Sequence, residues 1–330
     1  MNSIINLAAI DRMKIDKLII TAFAVLALCS SCGGDVELGE ETPLAPPYTL
    51  PERGESEAGD RIIDFFEKYT TFLLYDFTQA DFQWETVSSG LKYEAVYGDP
   101  QYLGDMIDFL DEVWLDFYSD KFKQEKFPFK IYLTDSIAQR PRWAGQPTTY
   151  HKALARDNAV AVAGMNKDLK TMSAEDKKIY KDEVNRNFIA FLLNSNKLEV
   201  PTEFFAVSDY TKFATWSETR NNPDILRTYG YLPNLDNEHI YNMASDWATS
   251  SWAMQSAGTS DLKAYLQNMV MHGKDFPTLN DGRYTWDYYL QKNEDGTYKF
   301  PLIKQKYDIL EKYFKDEFDM DLAAIGQKTY

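Results

Sequence analysis

Few residues in this chain could do chemistry. Three histidines (His151, His239 and His272) are the whole supply of imidazole in 330 residues, and both cysteines, Cys29 and Cys32, stand near the start. The body of the chain therefore has no thiolate metal site and no disulfide framework. His151 lies in a polar segment ahead of the apolar run Ala159–Ala163. His272 precedes Gly273 at the end of a helical pattern, where a cation suits the helix dipole. His239 beside Glu238 is the best candidate for a metal ligand together with Asp246, although seven residues, about two helical turns, separate them. No serine sits in a G-x-S-x-G context, and the glycines form no phosphate-cradling loop. Asp108, Asp111 and Glu112 read as a solvated helix face. Arg140-Pro141-Arg142-Trp143 sets two guanidiniums and an indole after a strand, and it is expected to pack as a loop, with an anionic or sugar ligand as the alternative. Tyr284, Trp286, Tyr288 and Tyr289 would stack on sugars or peptides if exposed, and core packing is the expected role.

The elements that must position these residues follow from periodicity. Arg61–Phe72 reads as an amphipathic helix, with apolar residues at 62, 65, 66, 69 and 72. Tyr102–Tyr118 repeats the pattern. Phe82–Tyr97 is rich in aromatic and β-branched residues with an unclear period. Pro128–Leu133 and Ala159–Ala163 read as strands. Ser173, with Asp176 three residues on, is an N-cap for a helix reaching about Leu193. Further helices are expected at 240–254, 260–271 and 301–317. Helices with a few strands and no βαβ alternation give an α+β domain, mainly helical.

The first residues read as an address. Lys14 and Lys17 precede the apolar run Leu18–Leu28, and Ser30-Ser31-Cys32 follows. This is the charged, apolar, small-residue order of a secretory signal, with an apolar run too short to span a bilayer stably. Ser30-Ser31-Cys32 is similar to a bacterial lipobox, which makes residues 1–31 the signal peptide and Cys32 the lipid attachment site; Met13 is an alternative start. Residues 32–60, acidic and holding Pro43, Pro46, Pro47 and Pro51, read as a solvated tether. Residues 61–330 form the single domain. The 44% hydrophobic content is enough for a sizeable core, and a net charge of -16 argues against a nucleic-acid partner.

The succession Glu183–Asn194, Pro201-Thr-Glu-Phe204, Tyr229-Gly-Tyr-Leu-Pro233, Ser245-Asp-Trp-Ala248 and the closing segments Ile309–Phe314 and Asp319–Leu322 resembles one family. It is the candidate zinc-binding metallopeptidase lipoproteins of Bacteroidetes, also described as substrate-import-associated zinc metallohydrolase lipoproteins. The resemblance implies a zincin-like domain whose central helix reads H-E-F-x-H-I-L-H-Q and holds a zinc ion. In such a motif the histidines at i and i+4 share one helix face and reach one metal, and the glutamate is the general base. Here the matching positions are Arg186, Asn187 and Ala190, and the further histidine position is Leu193. Arginine stays protonated, asparagine cannot take a proton from water, and alanine has no donor atom. Of the family's two helix acids, Asp246 is kept and Thr249 replaces the other.

The expectation is thus an outer-membrane lipoprotein, exposed at the cell surface, of a family whose zinc it has lost. No catalytic residue and no cofactor are expected. Arg186, Asn187 and Asp246 would line a former active-site cleft and bind a ligand. The resemblance implies TonB-dependent importer components as partners; a peptide or a glycan is the candidate ligand. An active zinc metallohydrolase with other ligands, or a glycan-binding surface lipoprotein, is the alternative.

Overall fold

The computed structural model describes residues 48–82, 92–141, 145–156, 158–222, 224–235, 247–272 and 285–330. The signal segment, Cys32 and most of the tether lie outside them, as do Arg142, Trp143, His239, Asp246 and Tyr284. A compact unit runs from Leu50 to Tyr330. Among the described residues no helix is long and apolar enough to cross a membrane.

The helices that matter to the site are α1 (Glu57–Tyr69), α2 (Leu103–Val113), α3 (Asp120–Lys126), α4 (Ala174–Asn194), α5 (Ala257–His272), α6 (Pro301–Phe318) and α7 (Leu322–Gln327). The expected first helix starts earlier than its apolar period suggests. The Ser56 hydroxyl accepts from the Gly59 amide at 3.0 Å, Asp60 accepts from the Gly54 amide, and Arg53 pairs with Asp64 and Glu67. This cap places Leu50–Asp60 with the domain, so the expected tether boundary at residue 60 is corrected to about Leu50. The helix ends where Thr70 adopts a left-handed backbone (φ 54), and Phe72 enters a strand instead.

The other boundaries follow similar local causes. The helix expected over 102–118 stops at Val113, and Leu115–Phe117 continue as a 3-10 turn. Residues 247–252 of the helix expected over 240–254 are turns, and only Ala253–Ser256 winds into a 3-10 segment before α5. There the Trp247 indole donates to the Leu232 carbonyl and Ser250 accepts from the Ala253 amide, which bonds this stretch outward. Helix α4 matches its sequence signal: the Ser173 hydroxyl accepts from the Asp176 amide at 3.1 Å.

Six strands among the described residues form the sheet: β1 (Phe72–Leu74), β2 (Lys92–Tyr97), β3 (Lys130–Arg140), β4 (Thr149–His151), β5 (Ala153–Arg156) and β6 (Ala159–Val162). The long strand β3 organises them. Its first half lies between β1 and β6, both parallel to it, and β5 runs antiparallel on the far side of β6. Ile131–Leu133 and Val160–Val162 are fully buried, as expected of strands covered on both faces. The second half of β3 pairs antiparallel with β2 and β4. Tyr97 pairs with Thr134 and Val96 with Ser136, so Asp135 is an extra residue at a bulge, a device that re-aims a side chain.

Helix α4 covers β5 and β6 and packs on α2 and α5. Its Phe188 ring meets Trp114, Tyr118 and Phe127 at 5.0–5.2 Å, mostly edge to face. The same buried stripe turns polar toward the N-terminus, through Asn185, Asp182, Lys181 and Lys178. Each polar group there has a partner. Asn185 accepts from the Tyr118 hydroxyl at 2.8 Å and donates to the Val113 carbonyl, which the end of α2 leaves open. The Lys181 ammonium, fully buried, lies 3.1–3.4 Å from the carbonyls of Val270, Met271, Ile325 and Gly326 and pairs with Asp182. These carbonyls close α5 and α7, so one cation serves the negative ends of two helices. Burial pushes the Lys181 ammonium below its ordinary range, and the Asp182 carboxylate opposes that shift.

Replacing Lys181 by alanine leaves buried Asp182 with Lys178 as its remaining cation and the four carbonyls without this donor. The expected loss is about 3–5 kcal/mol of unfolding free energy, read by urea denaturation of the parent and variant.

Candidate functional site

Arg186, Asn187 and Ala190 stand on α4 as half-buried neighbours one turn apart. Their surroundings follow from their own chemistry. The Asn187 amide donates back to the Glu183 carbonyl at 2.9 Å, so its nitrogen is committed to the helix. The Arg186 Nε is buried, and its side chain is engaged by neighbours. Ala190 presents a methyl group. An always-protonated guanidinium, an amide bonded to its own helix and a methyl do not make a zinc ligand set. Asp246 and His239, the remaining candidates, lie outside the described residues. Among the described residues no group of three or more His, Cys, Asp or Glu is placed to hold a metal ion.

The other candidates take structural roles. His151 ends β4, not a loop. Its Nε2 is 3.1 Å from Gln139 Oε1, and its ring meets Tyr93 edge-on. Arg140 pairs across the sheet with Glu94 at 2.7 Å. The acids expected on a solvated face tie helices together: Arg61 of α1 reaches Asp108 at 2.7 Å and Asp111 at 2.9 Å, and Lys177 reaches Glu112 at 2.7 Å. Trp286 and Tyr289 are buried, and the Trp286 indole donates to the Asn268 carbonyl at 3.0 Å. The Tyr288 hydroxyl bonds the Asp224 carboxylate, which Lys299 also meets at 2.9 Å. Trp286 and Tyr289 are therefore core residues, and half-buried Tyr288 is bonded to Asp224. The His272 side chain lies outside the described residues.

Two polar arrangements escaped the sequence reading. The first joins the Pro201–Phe204 and Tyr229–Pro233 segments to α5 and α6. Lys306 of α6 pairs with Asp261 of α5, both fully buried. Four rings surround the ammonium at 5.2–5.4 Å: Phe204, Tyr210, Tyr231 and Tyr265. Lys306 also reaches the Gly230 carbonyl at 3.1 Å, and the Tyr265 hydroxyl reaches it at 2.9 Å. Gly230 has φ 82, and a Cβ there would come within 2.9 Å of Ser208 and Leu302. The Pro201–Phe204, Tyr229–Pro233 and α6 segments thus converge on one caged ion pair. Burial pushes the Asp261 carboxyl up and the Lys306 ammonium down, and each opposes the other's shift.

The second is an open cleft of about 370 Å3 beside the first turns of α4. The β3 bulge brings Asp135 to it, the turn after β6 brings Gly164 and Asp168, and α4 brings Asp176 and Tyr180. Lys152, between β4 and β5, lays its ammonium over the Tyr180 ring at 4.3 Å. Gly164 has φ 105, and a Cβ on it would stand 2.8 Å from the Tyr180 hydroxyl, so the turn admits no side chain. Burial, then the Glu183, Asp135, Asp176 and Asp168 carboxylates, push the Tyr180 phenol up to about 12. It is therefore protonated at neutral pH and available as a donor.

No family model matches the chain, and no curated protein matches it. Among solved structures it is similar to a candidate zinc-binding metallo-peptidase from Bacteroides caccae, with TM-score 0.41 and 13% identity, over 84% of this chain and 92% of that one. At that TM-score the likeness fixes neither the detailed fold nor the chemistry of this chain.

Gly164→Ala meets both an unfavourable backbone and the Tyr180 ring. A loss of about 1–3 kcal/mol is expected, checked by thermal unfolding against Gly104→Ala, whose Cβ would enter open space.

Proposed function

We propose that the protein is an outer-membrane lipoprotein with a zincin-like domain that has lost its zinc ligands and binds a ligand without cleaving it. The observation that carries this reading is the chemistry of Arg186, Asn187 and Ala190, which replace a ligand, a base and a second ligand on one helix. In this reading Cys32 carries the lipid, and residues 33 to about 49 tether the domain at the cell surface. The domain serves a TonB-dependent importer as a binding accessory for a peptide or glycan. Arg186 and Asn187 line the binding face with Asp246, where a guanidinium suits carboxylate-bearing ligands. The importer context rests on the family resemblance and on no feature of the fold.

Elemental analysis of the purified protein, after dialysis against micromolar zinc, tests the loss. Well under one zinc per chain is expected; a stoichiometric zinc removed by chelator would overturn the reading. The variant Arg186→His/Asn187→Glu/Ala190→His returns two imidazoles at i and i+4. It should gain zinc affinity of at least about tenfold, because each ligand lost or added shifts metal affinity by roughly that factor or more.

The anchor is tested separately. Wild-type protein is expected in the detergent-soluble membrane fraction, and Cys32→Ala in the soluble fraction, because the acyl chains contribute about 0.8 kcal/mol per buried CH2. Equal membrane association of the two would sink the lipid assignment.

A further inference from the structure

The cleft beside α4 holds charges that complement one another and yet do not pair. Among the described residues no cation pairs with the carboxylate of Asp135, Asp168 or Asp176. Asp135 accepts from the Asn166 amide, and Asp176 accepts from the Ser173 hydroxyl. Among the described residues Lys152 makes no ion pair either; its ammonium lies over the face of Tyr180. Tyr180 is 9% exposed, and among the described residues no group hydrogen-bonds its hydroxyl, which lines the open cavity. In the open cleft the charged groups face solvent, Asp168 and Asp176 as exposed residues and Asp135 and Lys152 in part, so a ligand can reach all of them. A ligand carrying both signs would exchange those water contacts for charge-assisted hydrogen bonds at both ends.

The net charge of these four ionised side chains is negative, three carboxylates against one ammonium. The complementary ligand is a zwitterion with an additional cation. Its carboxylate would meet Lys152 and the Tyr180 hydroxyl, and its cationic groups would meet the aspartates. A volume of about 370 Å3 lies in the range of small-molecule sites and is too small for a folded partner. We propose that this cleft binds a basic amino acid, free or as the C-terminal residue of a short peptide. Tyr180 lies six residues ahead of Arg186 on α4, about 9 Å along the axis. The site is therefore separate from the motif face and does not depend on the reading of lost zinc.

The test is calorimetric titration of the purified protein with L-arginine, agmatine, L-norvaline and glycyl-L-arginine. Agmatine keeps both cations and lacks the carboxylate; norvaline lacks the guanidinium. L-Arginine or glycyl-L-arginine is expected to bind, and the preferred one identifies the free or peptide source. Agmatine and norvaline are each expected to be weaker by about tenfold or more, the effect of one lost charged hydrogen bond. Tyr180→Phe and Lys152→Met should weaken arginine binding by about tenfold without changing agmatine, and Asp135→Asn should weaken both. Lys152 is at the surface, so its variant tests the site even if the Tyr180 variant folds poorly. Binding should persist in chelator, which separates this result from the zinc measurement. Absence of heat with both arginine ligands at millimolar concentration, or parent-like arginine binding by Lys152→Met and Tyr180→Phe, would overturn the proposal.

Discussion

The fold depends on keeping one cation out of water. Lys181 sits in the centre of α4, with Asp182 beside it and the carbonyl ends of α5 and α7 around its ammonium. A buried ammonium alone would be strongly unfavourable, so the ends of α5 and α7 must arrive where they do. Chain segments almost ninety and more than a hundred and forty residues away are thereby fixed against the central helix. The aromatic half of the same helix does the complementary work, because Phe188 gathers Trp114, Tyr118 and Phe127 into one packed cluster. Helix α4 thus combines non-directional burial on one part of its stripe with directional polar contacts on the other.

A second buried cation repeats the arrangement at the far end of α5. Lys306, caged by four rings and paired with Asp261, joins α6 to α5 and to the Gly230 turn. Pro201–Phe204, Tyr229–Pro233 and α6, distant in the chain, thereby meet at one point. They furnish one structural node. The surface acids behave similarly on a smaller scale: Arg61 links α1 to α2 and Lys177 links α2 to α4, in exposed pairs of modest worth.

Local signals served well where local physics decides. The Ser173 cap, the apolar runs of β3 and β6, and the periods of α5 and α6 were all readable, because each rests on neighbouring residues. The first helix was displaced by four residues because its start depends on Ser56, Asp60 and Arg53, whose bonds an apolar period does not report. Residues 247–252 look helical by composition, yet the Trp247 indole is bonded to Leu232 and the backbone turns. The buried polar stripe at 178, 181, 182 and 185 did carry a signal, since it continues the spacing of Phe188 and Leu192 toward the N-terminus. Charged residues on such a stripe read as exposed until partners from distant helices are known.

The sequence by itself determined an α+β domain with a central helix and the identity of the groups on its motif face. A guanidinium or a methyl group cannot become a zinc ligand, and an amide cannot become a general base, in any fold, because their protonation and atoms are fixed by residue type. Only the tertiary structure decided which polar groups meet. Asp135, Lys152, Asp176 and Tyr180 are scattered over forty-six positions of the chain, and a strand bulge, a left-handed glycine turn and the first turns of a helix bring them to one recess. Spacing along the chain reports contacts within one element. Contacts between elements depend on sheet register and helix packing, which are set by the burial of the whole core.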